Sequence, residues 1–133
     1  SCLQYFPQLS AEDCSKDLKL PKKFITVQFD STSKKRSIKH HIRSRILSKY
    51  SDCEALVVGG EANNDYLKNS LKHIAYAMTK AKHHVGVDSG FLHLSQLYFH
   101  PENIHIYTGS HKGKWSHHML RARDNGIRIF NEN

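Results

Sequence analysis

Short apolar runs alternate along the chain with longer segments whose apolar residues recur at helical spacing. The runs are rich in β-branched and aromatic residues, which favours strands. Ile38, Ile42 and Ile46 occupy one face of a predicted helix, which Ser37 would cap and which continues to Tyr50. The full pattern predicts strands at 24–29, 55–58, 84–87, 104–107 and 127–130, and further helices from Asp65, at 91–98 and at 116–123.

This alternation predicts the fold class. Strands that alternate with helices form βαβ units, so we expect an α/β fold: a Rossmann-like, mostly parallel sheet with helices on both faces. Residues 1–22 show no clean periodicity and are predicted to be a linker or the remnant of a preceding domain, and 23–133 the Rossmann-like domain. Ligands bind such sheets outside the carboxyl ends of the strands, where the loops 30–36, 59–64 and 88–93 would meet.

The net charge indicates which partners the chain can bind, and the cysteines and histidines indicate whether it holds disulfides or a metal. The formal net charge is +8, and residues 31–49 contain seven Lys or Arg and no acid. This balance favours nucleic acid, an anionic membrane surface or phosphorylated small molecules as partners, although the basic segment lacks the interleaved aromatic residues of many nucleic-acid sites. Three cysteines without CxxC spacing disfavour a disulfide framework or a structural zinc site, and free thiols are typical of the reducing cytoplasm. The eleven histidines occur partly as adjacent pairs, which make poor chelates, so no metal is expected.

The loop at 88–93 is the most informative of the three. Asp88 could accept hydrogen bonds from ligand hydroxyls or cap the following helix. The backbone N–H groups of Ser89 and Gly90 would face an anion at the start of that helix. His93 follows one turn later on the side of Ser89. The competing interpretation is an ordinary Asp88 N-cap with a half-buried histidine.

The other two loops each allow two interpretations. Lys34 and Lys35 suit a diphosphate, or they form a solvated basic face. Glu61 follows Gly59 and Gly60 and could accept hydrogen bonds from a ribose diol, as an acidic residue does in dinucleotide folds. It could equally be an acid placed near the positive end of a helix dipole.

These loops occur in an order that resembles a known family. The segment 85–94, Val-Gly-Val-Asp-Ser-Gly-Phe-Leu-His-Leu, resembles the signature of the family 9 glycosyltransferases, the heptosyltransferases of lipopolysaccharide synthesis. That signature is a strand, Asp-[Ser/Thr]-Gly, two residues and His-Leu. Segment 57–61 is similar to the strand-Gly-Gly-Glu segment of the family, and 33–36 resembles, more weakly, its phosphate-binding loop. The resemblance covers about 24–107.

The resemblance implies the C-terminal, donor-binding half of a GT-B enzyme, in which two Rossmann-like domains face each other across a cleft. Such an enzyme moves a sugar from a nucleotide-diphosphate donor, ADP-linked in this family, to a glycan or lipid-linked acceptor without a metal or other cofactor. Carried over to this chain, the diphosphate and sugar would be held by Asp88, Ser89, Gly90 and His93, a phosphate by Lys34 or Lys35, and the ribose by Glu61.

The chain also departs from the family pattern. The interval from Glu61 to Asp88 holds only one predicted helix and the incoming strand, where the family has an additional strand and helix. The family's proposed general base lies in an N-terminal acceptor domain, so no catalytic residue is assigned here. Two alternatives stay open: a non-catalytic nucleotide-binding module and, less favoured, a basic nucleic-acid-binding domain. The expected location is cytoplasmic, and a peripheral position at the inner face of the membrane is compatible with the charge.

Overall fold

The fold is a single parallel sheet with helices on both sides. The computed structural model describes residues 9–31, 37–108 and 117–131, and at 117–120 and 131 it describes the backbone alone. Its strands are β1 (Phe24–Gln28), β2 (Glu54–Val57), β3 (His84–Gly86), β4 (Ile104–Thr108) and β5 (Arg128–Asn131). The helices are α1 (His40–Lys49), α2 (Tyr66–Asn69), α3 (Leu71–Lys80), α4 (Gly90–Ser95) and α5 (His117–Asp124), and a short 3-10 turn spans Pro101–Asn103. The predicted α/β, Rossmann-like class is confirmed, and the five-stranded sheet is parallel throughout.

Both faces of the sheet are buried by helices. On one face, side chains of β1, β3 and β4 pack against α1 in a cluster of Ile25, Val27, Val85, Val87, Tyr107, Ile42, Ile46 and Tyr50. On the other face, the sheet packs against the remaining helices in a cluster that includes Phe24, Ile104, Ile106, Ile127, Leu67, Ile74, Met78, Leu92 and Ala122. The alternation of side chains along each strand supplies both clusters.

The strand order creates a crevice between β1 and β3. The order is β2-β1-β3-β4-β5, and β1 pairs with β2 on one side and with β3 on the other. The chain therefore leaves β1 in one direction, to β2, and returns across β1 to β3. The helices that follow β1 and β3, α1 and α4, pack on opposite faces of the sheet. Open α/β sheets bind ligands at such switch points.

Two details of the sheet and helices differ from the sequence-based expectations. The run at 55–58 is continuously apolar, which is typical of a strand covered on both faces, but β2 lies at the sheet edge, where Ala55 is exposed and Val57 half-buried. The helix from Asp65 is divided in two, because Ser70 is extended (ψ 102°) and its hydroxyl lies 2.5 Å from Nδ1 of His73. Leu67, Leu71 and Ile74 follow the helical spacing of one apolar face, but Leu71 is 61% exposed whereas the other two are buried.

The predicted role of Ser37 as a helix cap is wrong. The N-cap position of α1 is Lys39, and no side chain caps it. Ser37 instead joins the two ends of the loop after β1: its hydroxyl donates to Oδ1 of Asp30 (3.2 Å) and accepts from the backbone N–H of Ser31 (3.0 Å). The side chain of Ser37 therefore makes hydrogen bonds across the loop and does not cap the helix.

The segment that precedes β1 packs on the surface of α3. Leu18 is 4% exposed and belongs to the core cluster on that face. The carboxylate of Asp17 lies 2.8 Å from Nε2 of the buried His73. The backbone N–H of Leu9 donates to the carbonyl of Leu97 (3.0 Å). This segment therefore reaches the helices that border the crevice, and the domain boundary at residue 22 remains a prediction.

Candidate functional site

A cleft of about 630 Å³ opens at the carboxyl ends of β1 and β3. Its volume lies within the ~300–1,000 Å³ typical of small-molecule sites. Polar groups come from Gln28, Ser31, Ser89, Gly90 and His93. The apolar part of the lining consists of Leu71, Phe91, Leu94 and Leu97. The cleft thus combines a polar set and an apolar set of groups at the switch point of the sheet.

Three of the predicted site residues line this cleft together. Ser89, Gly90 and His93 all border it, as their spacing across one helical turn predicts. Asp88 comes just before them, but its side chain is only 6% exposed and is not among the lining residues. Lys34 and Lys35 lie outside the described residues. Their segment is bounded by Ser31, which lines the cleft, and by Ser37.

The structure assigns the cap of α4 to Ser89 and not to Asp88. Ser89 is extended (φ −153°, ψ −179°), and its Oγ accepts a hydrogen bond from the backbone N–H of Phe91 (3.2 Å). The interpretation of Asp88 as an ordinary N-cap is therefore wrong. His93 is exposed on the cleft side of the helix and is not half-buried.

Gln28 is a cleft residue that the sequence analysis missed. It is the last residue of β1 and only 6% exposed. Its Nε2 donates to the carbonyl of Asp30 (2.7 Å), and its Oε1 lies 2.5 Å from the hydroxyl of Ser89. The available signal was an amide side chain at the end of a buried strand whose other residues are apolar except for Thr26. Its meaning depends on the pairing of β1 with β3, which sets Gln28 opposite Gly86.

Glu61 is engaged by an arginine outside the cleft lining. Both carboxylate oxygens of Glu61 accept hydrogen bonds from Nη1 of Arg43, at 2.9 and 2.6 Å. Nε of Arg43 donates to the carbonyl of Ile38 (2.7 Å), which fixes the guanidinium on α1. The pair ties α1 to the loop after β2. The predicted contact of Glu61 with a ribose would have to coexist with this ion pair.

Glycines around the cleft fall into two groups. Gly59 has φ +93°, and a Cβ there would lie 3.2 Å from Cε2 of Phe91, so the fold requires glycine. A Cβ on Gly86 would lie 3.0 Å from Nε2 of His84 and 3.1 Å from the carbonyl oxygen of Gln28. A Cβ on Gly90, in contrast, would meet nothing within 4 Å. Gly90 therefore leaves open space at the cleft without being needed by the backbone.

Two buried histidines lie within the sheet that supports the cleft. Burial lowers the pKa of His84 to about 3, and its Nδ1 lies 2.9 Å from Oγ1 of Thr26. Burial likewise lowers the pKa of His105 to about 4, and its Nδ1 lies 2.6 Å from the hydroxyl of Tyr50. Both imidazoles are held neutral at physiological pH, so they contribute packing and hydrogen bonds and no positive charge.

Comparisons with known proteins provide no relative from which a function could be transferred. A scan against protein-family models and searches of curated proteins and of solved structures found no match for this chain. In the part of the chain that the structure describes, no group of three or more His, Cys, Asp or Glu side chains is placed to hold a metal ion. Among the same residues, no helix is long and apolar enough to cross a membrane. The residues that line the cleft are therefore the basis for any functional assignment.

Proposed function

We propose that this chain is the donor-binding half of a glycosyltransferase similar to family 9, and that it binds a nucleotide-diphosphate sugar in the cleft at the ends of β1 and β3. One observation carries the proposal: Ser89, Gly90 and His93, the residues of the family-like segment, line one cleft at the switch point of a parallel sheet. A parallel α/β fold alone would not support it, because one fold hosts many functions.

The two sets of groups in the cleft fit the two parts of such a ligand. Leu71, Phe91, Leu94 and Leu97 offer an apolar surface for a nucleobase. The polar groups of the same lining suit phosphate and sugar oxygens. Lys34 and Lys35 follow Ser31, a cleft residue, by three and four positions in the sequence, and we propose that they supply positive charge to a phosphate. The net charge of +8 attracts a diphosphate over a longer range.

The proposed reaction is a displacement at the anomeric carbon of the donor. The acceptor hydroxyl forms the new glycosidic bond, the bond from the anomeric carbon to the diphosphate breaks, and the nucleoside diphosphate leaves with the electron pair. The hydroxyl proton passes to a base, which in the resembling family lies on the N-terminal acceptor domain. The role of this half is electrostatic stabilisation of the leaving diphosphate, usually a large catalytic contribution.

The setting of the reaction is part of the proposal. The partners are an acceptor domain and a glycan or lipid-linked acceptor, and neither a metal nor another cofactor takes part. The proposed location is the cytoplasm, with peripheral contact at the inner face of the membrane through basic residues such as those of 31–49.

Calorimetric titration with ADP, UDP, GDP and one sugar conjugate of each tests the proposal. We expect saturable binding of one nucleotide family. His93→Ala should weaken that binding roughly 10- to 150-fold, the range for one hydrogen bond to a charged group. His100→Ala is the matched control, because His100 is also exposed but does not line the cleft.

Other outcomes point to the alternatives. Absence of binding by every nucleotide, with circular dichroism of a folded protein, would overturn the donor-site proposal for this chain. Tight, steeply salt-dependent binding of an oligonucleotide would favour the nucleic-acid alternative instead. If a nucleotide sugar binds but is not turned over when acceptor and acceptor domain are supplied, the non-catalytic module is the better description.

A further inference from the structure

The orientation of the Gln28 side-chain amide is fixed by a carbonyl group. The amide nitrogen of Gln28 lies 2.7 Å from the backbone oxygen of Asp30. A carbonyl oxygen can only accept a hydrogen bond, so the group facing it must be the –NH₂ and not the amide oxygen. The flipped amide would place two acceptors in contact. The Oε1 atom of Gln28 therefore faces the other way, towards Ser89.

This orientation determines the direction of the hydrogen bond to Ser89. The Oε1 atom can only accept, so the hydroxyl of Ser89 donates its single hydrogen to Gln28 across 2.5 Å. The same hydroxyl accepts from the backbone N–H of Phe91 at 3.2 Å. A hydroxyl has one hydrogen and two lone pairs. One lone pair of Ser89, a residue that lines the cleft, is left for a ligand.

We infer that Ser89 presents a hydrogen-bond acceptor to the cleft, and that Gln28 is the positioning residue that sets this polarity. The ligand group that meets Ser89 is then a donor, a hydroxyl of the sugar or ribose. A phosphate oxygen, itself an acceptor, gains no hydrogen bond from this side chain. The inference rests on the proposed function and refines it: the Ser89 hydroxyl recognises the sugar part of the ligand, and the diphosphate is held by other groups.

Binding of two ligands, one with sugar hydroxyls and one without, shows whether Ser89 contacts the sugar or the phosphate. Inorganic diphosphate carries no sugar, whereas the nucleotide sugar that binds the wild type carries both parts. Ser89→Ala should weaken binding of the nucleotide sugar about 2- to 12-fold, the range for one hydrogen bond. It should leave the affinity for inorganic diphosphate within about twofold of the wild-type value.

Gln28→Met tests the positioning role directly. Methionine has a similar length but accepts the hydroxyl hydrogen only weakly, so the Ser89 hydroxyl is released to donate to a phosphate oxygen. We expect inorganic diphosphate to bind this variant more tightly than the wild type, and the gain to disappear in Gln28→Met/Ser89→Ala. A general loosening of the cleft would lower the affinity for both ligands.

The outcomes distinguish this inference from the proposed function. If inorganic diphosphate and the nucleotide sugar lose affinity equally in Ser89→Ala, the hydroxyl donates to phosphate and the inference is overturned while the donor site stands. If neither ligand nor any nucleotide binds the wild type, the proposed function is wrong, and the inference about Ser89 is wrong as well. A selective loss for the nucleotide sugar, with the gain in Gln28→Met, supports both.

Discussion

Gly90→Ala keeps the fold intact and weakens nucleotide-sugar binding by roughly 5- to 150-fold. The backbone at Gly90 has no positive φ, and an added Cβ meets no protein atom within 4 Å. Alanine at such a position usually stabilises a protein by about 0.4–1 kcal/mol, because it restricts the unfolded chain. In the complex, however, the methyl group occupies space that we assign to the ligand. Forcing a methyl group into a filled site costs about 1–3 kcal/mol, which corresponds to that loss of affinity.

Two other glycines serve as controls for Gly90→Ala. Gly60→Ala adds a Cβ in ordinary contact with Asp30, 3.5 Å from Oδ2, and outside the cleft lining, so neither stability nor binding should change much. Gly86→Ala places a Cβ 3.1 Å from the rigid carbonyl of Gln28 and should lower the free energy of unfolding. Urea denaturation and calorimetric titration of the three variants measure both effects. Unchanged nucleotide-sugar affinity in Gly90→Ala would contradict the assigned ligand position.

Acidification from pH 8 to pH 5 should destabilise the protein by about 4 kcal/mol through His84 and His105. The folded-state pKa values are about 3 and about 4, both lowered mainly by burial. An unfolded histidine has a pKa of about 6.5. The unfolded state therefore binds protons first. The contribution of the two neutral imidazoles to the free energy of unfolding is complete above pH ~6.5 and is lost as the pH falls from there towards their folded-state pKa values. At pH 5 each histidine accounts for a loss of about 2 kcal/mol.

Urea denaturation at pH 8, 7, 6 and 5 measures this dependence. His105→Gln removes one of the two titrating groups and should reduce the loss of stability between pH 8 and pH 5 by about half. His40→Gln, on the exposed side of α1, is the control and should leave the profile unchanged. A free energy of unfolding that stays constant down to pH 5 would show that the two imidazoles are hydrated in the folded state.

The sequence predicted the strands and the fold class because these depend on local periodicity. The runs at 24–29 and 104–107 contain enough β-branched and aromatic residues to identify β1 and β4 without tertiary information. The break at Ser70 and the role of Ser37 could not be predicted in the same way. Ser37 contacts Asp30, seven residues earlier, on the other side of the loop after β1. Ser70 contacts His73, three residues later, and His73 is itself held by Asp17, 56 residues away in sequence.

The candidate site was predictable only where one helical turn sets the geometry. The spacing of Ser89, Gly90 and His93 fixes their common side as soon as α4 forms. The contribution of Gln28 arises from a strand 61 residues before Ser89 and requires the sheet order. The ion pair of Glu61 likewise depends on Arg43, which α1 carries to the loop after β2.

Nuclear magnetic resonance mapping of the bound nucleotide sugar tests the central claim most directly. Amide shifts of the ¹⁵N-labelled protein would be followed while the tightest-binding nucleotide sugar is added. We predict that the largest saturable changes occur at Gln28, Ser31, Ser89, Gly90 and His93, which border one cleft. Saturable changes confined to the basic helix α1, or to the surface of α3 away from the cleft, would contradict a donor site at the ends of β1 and β3.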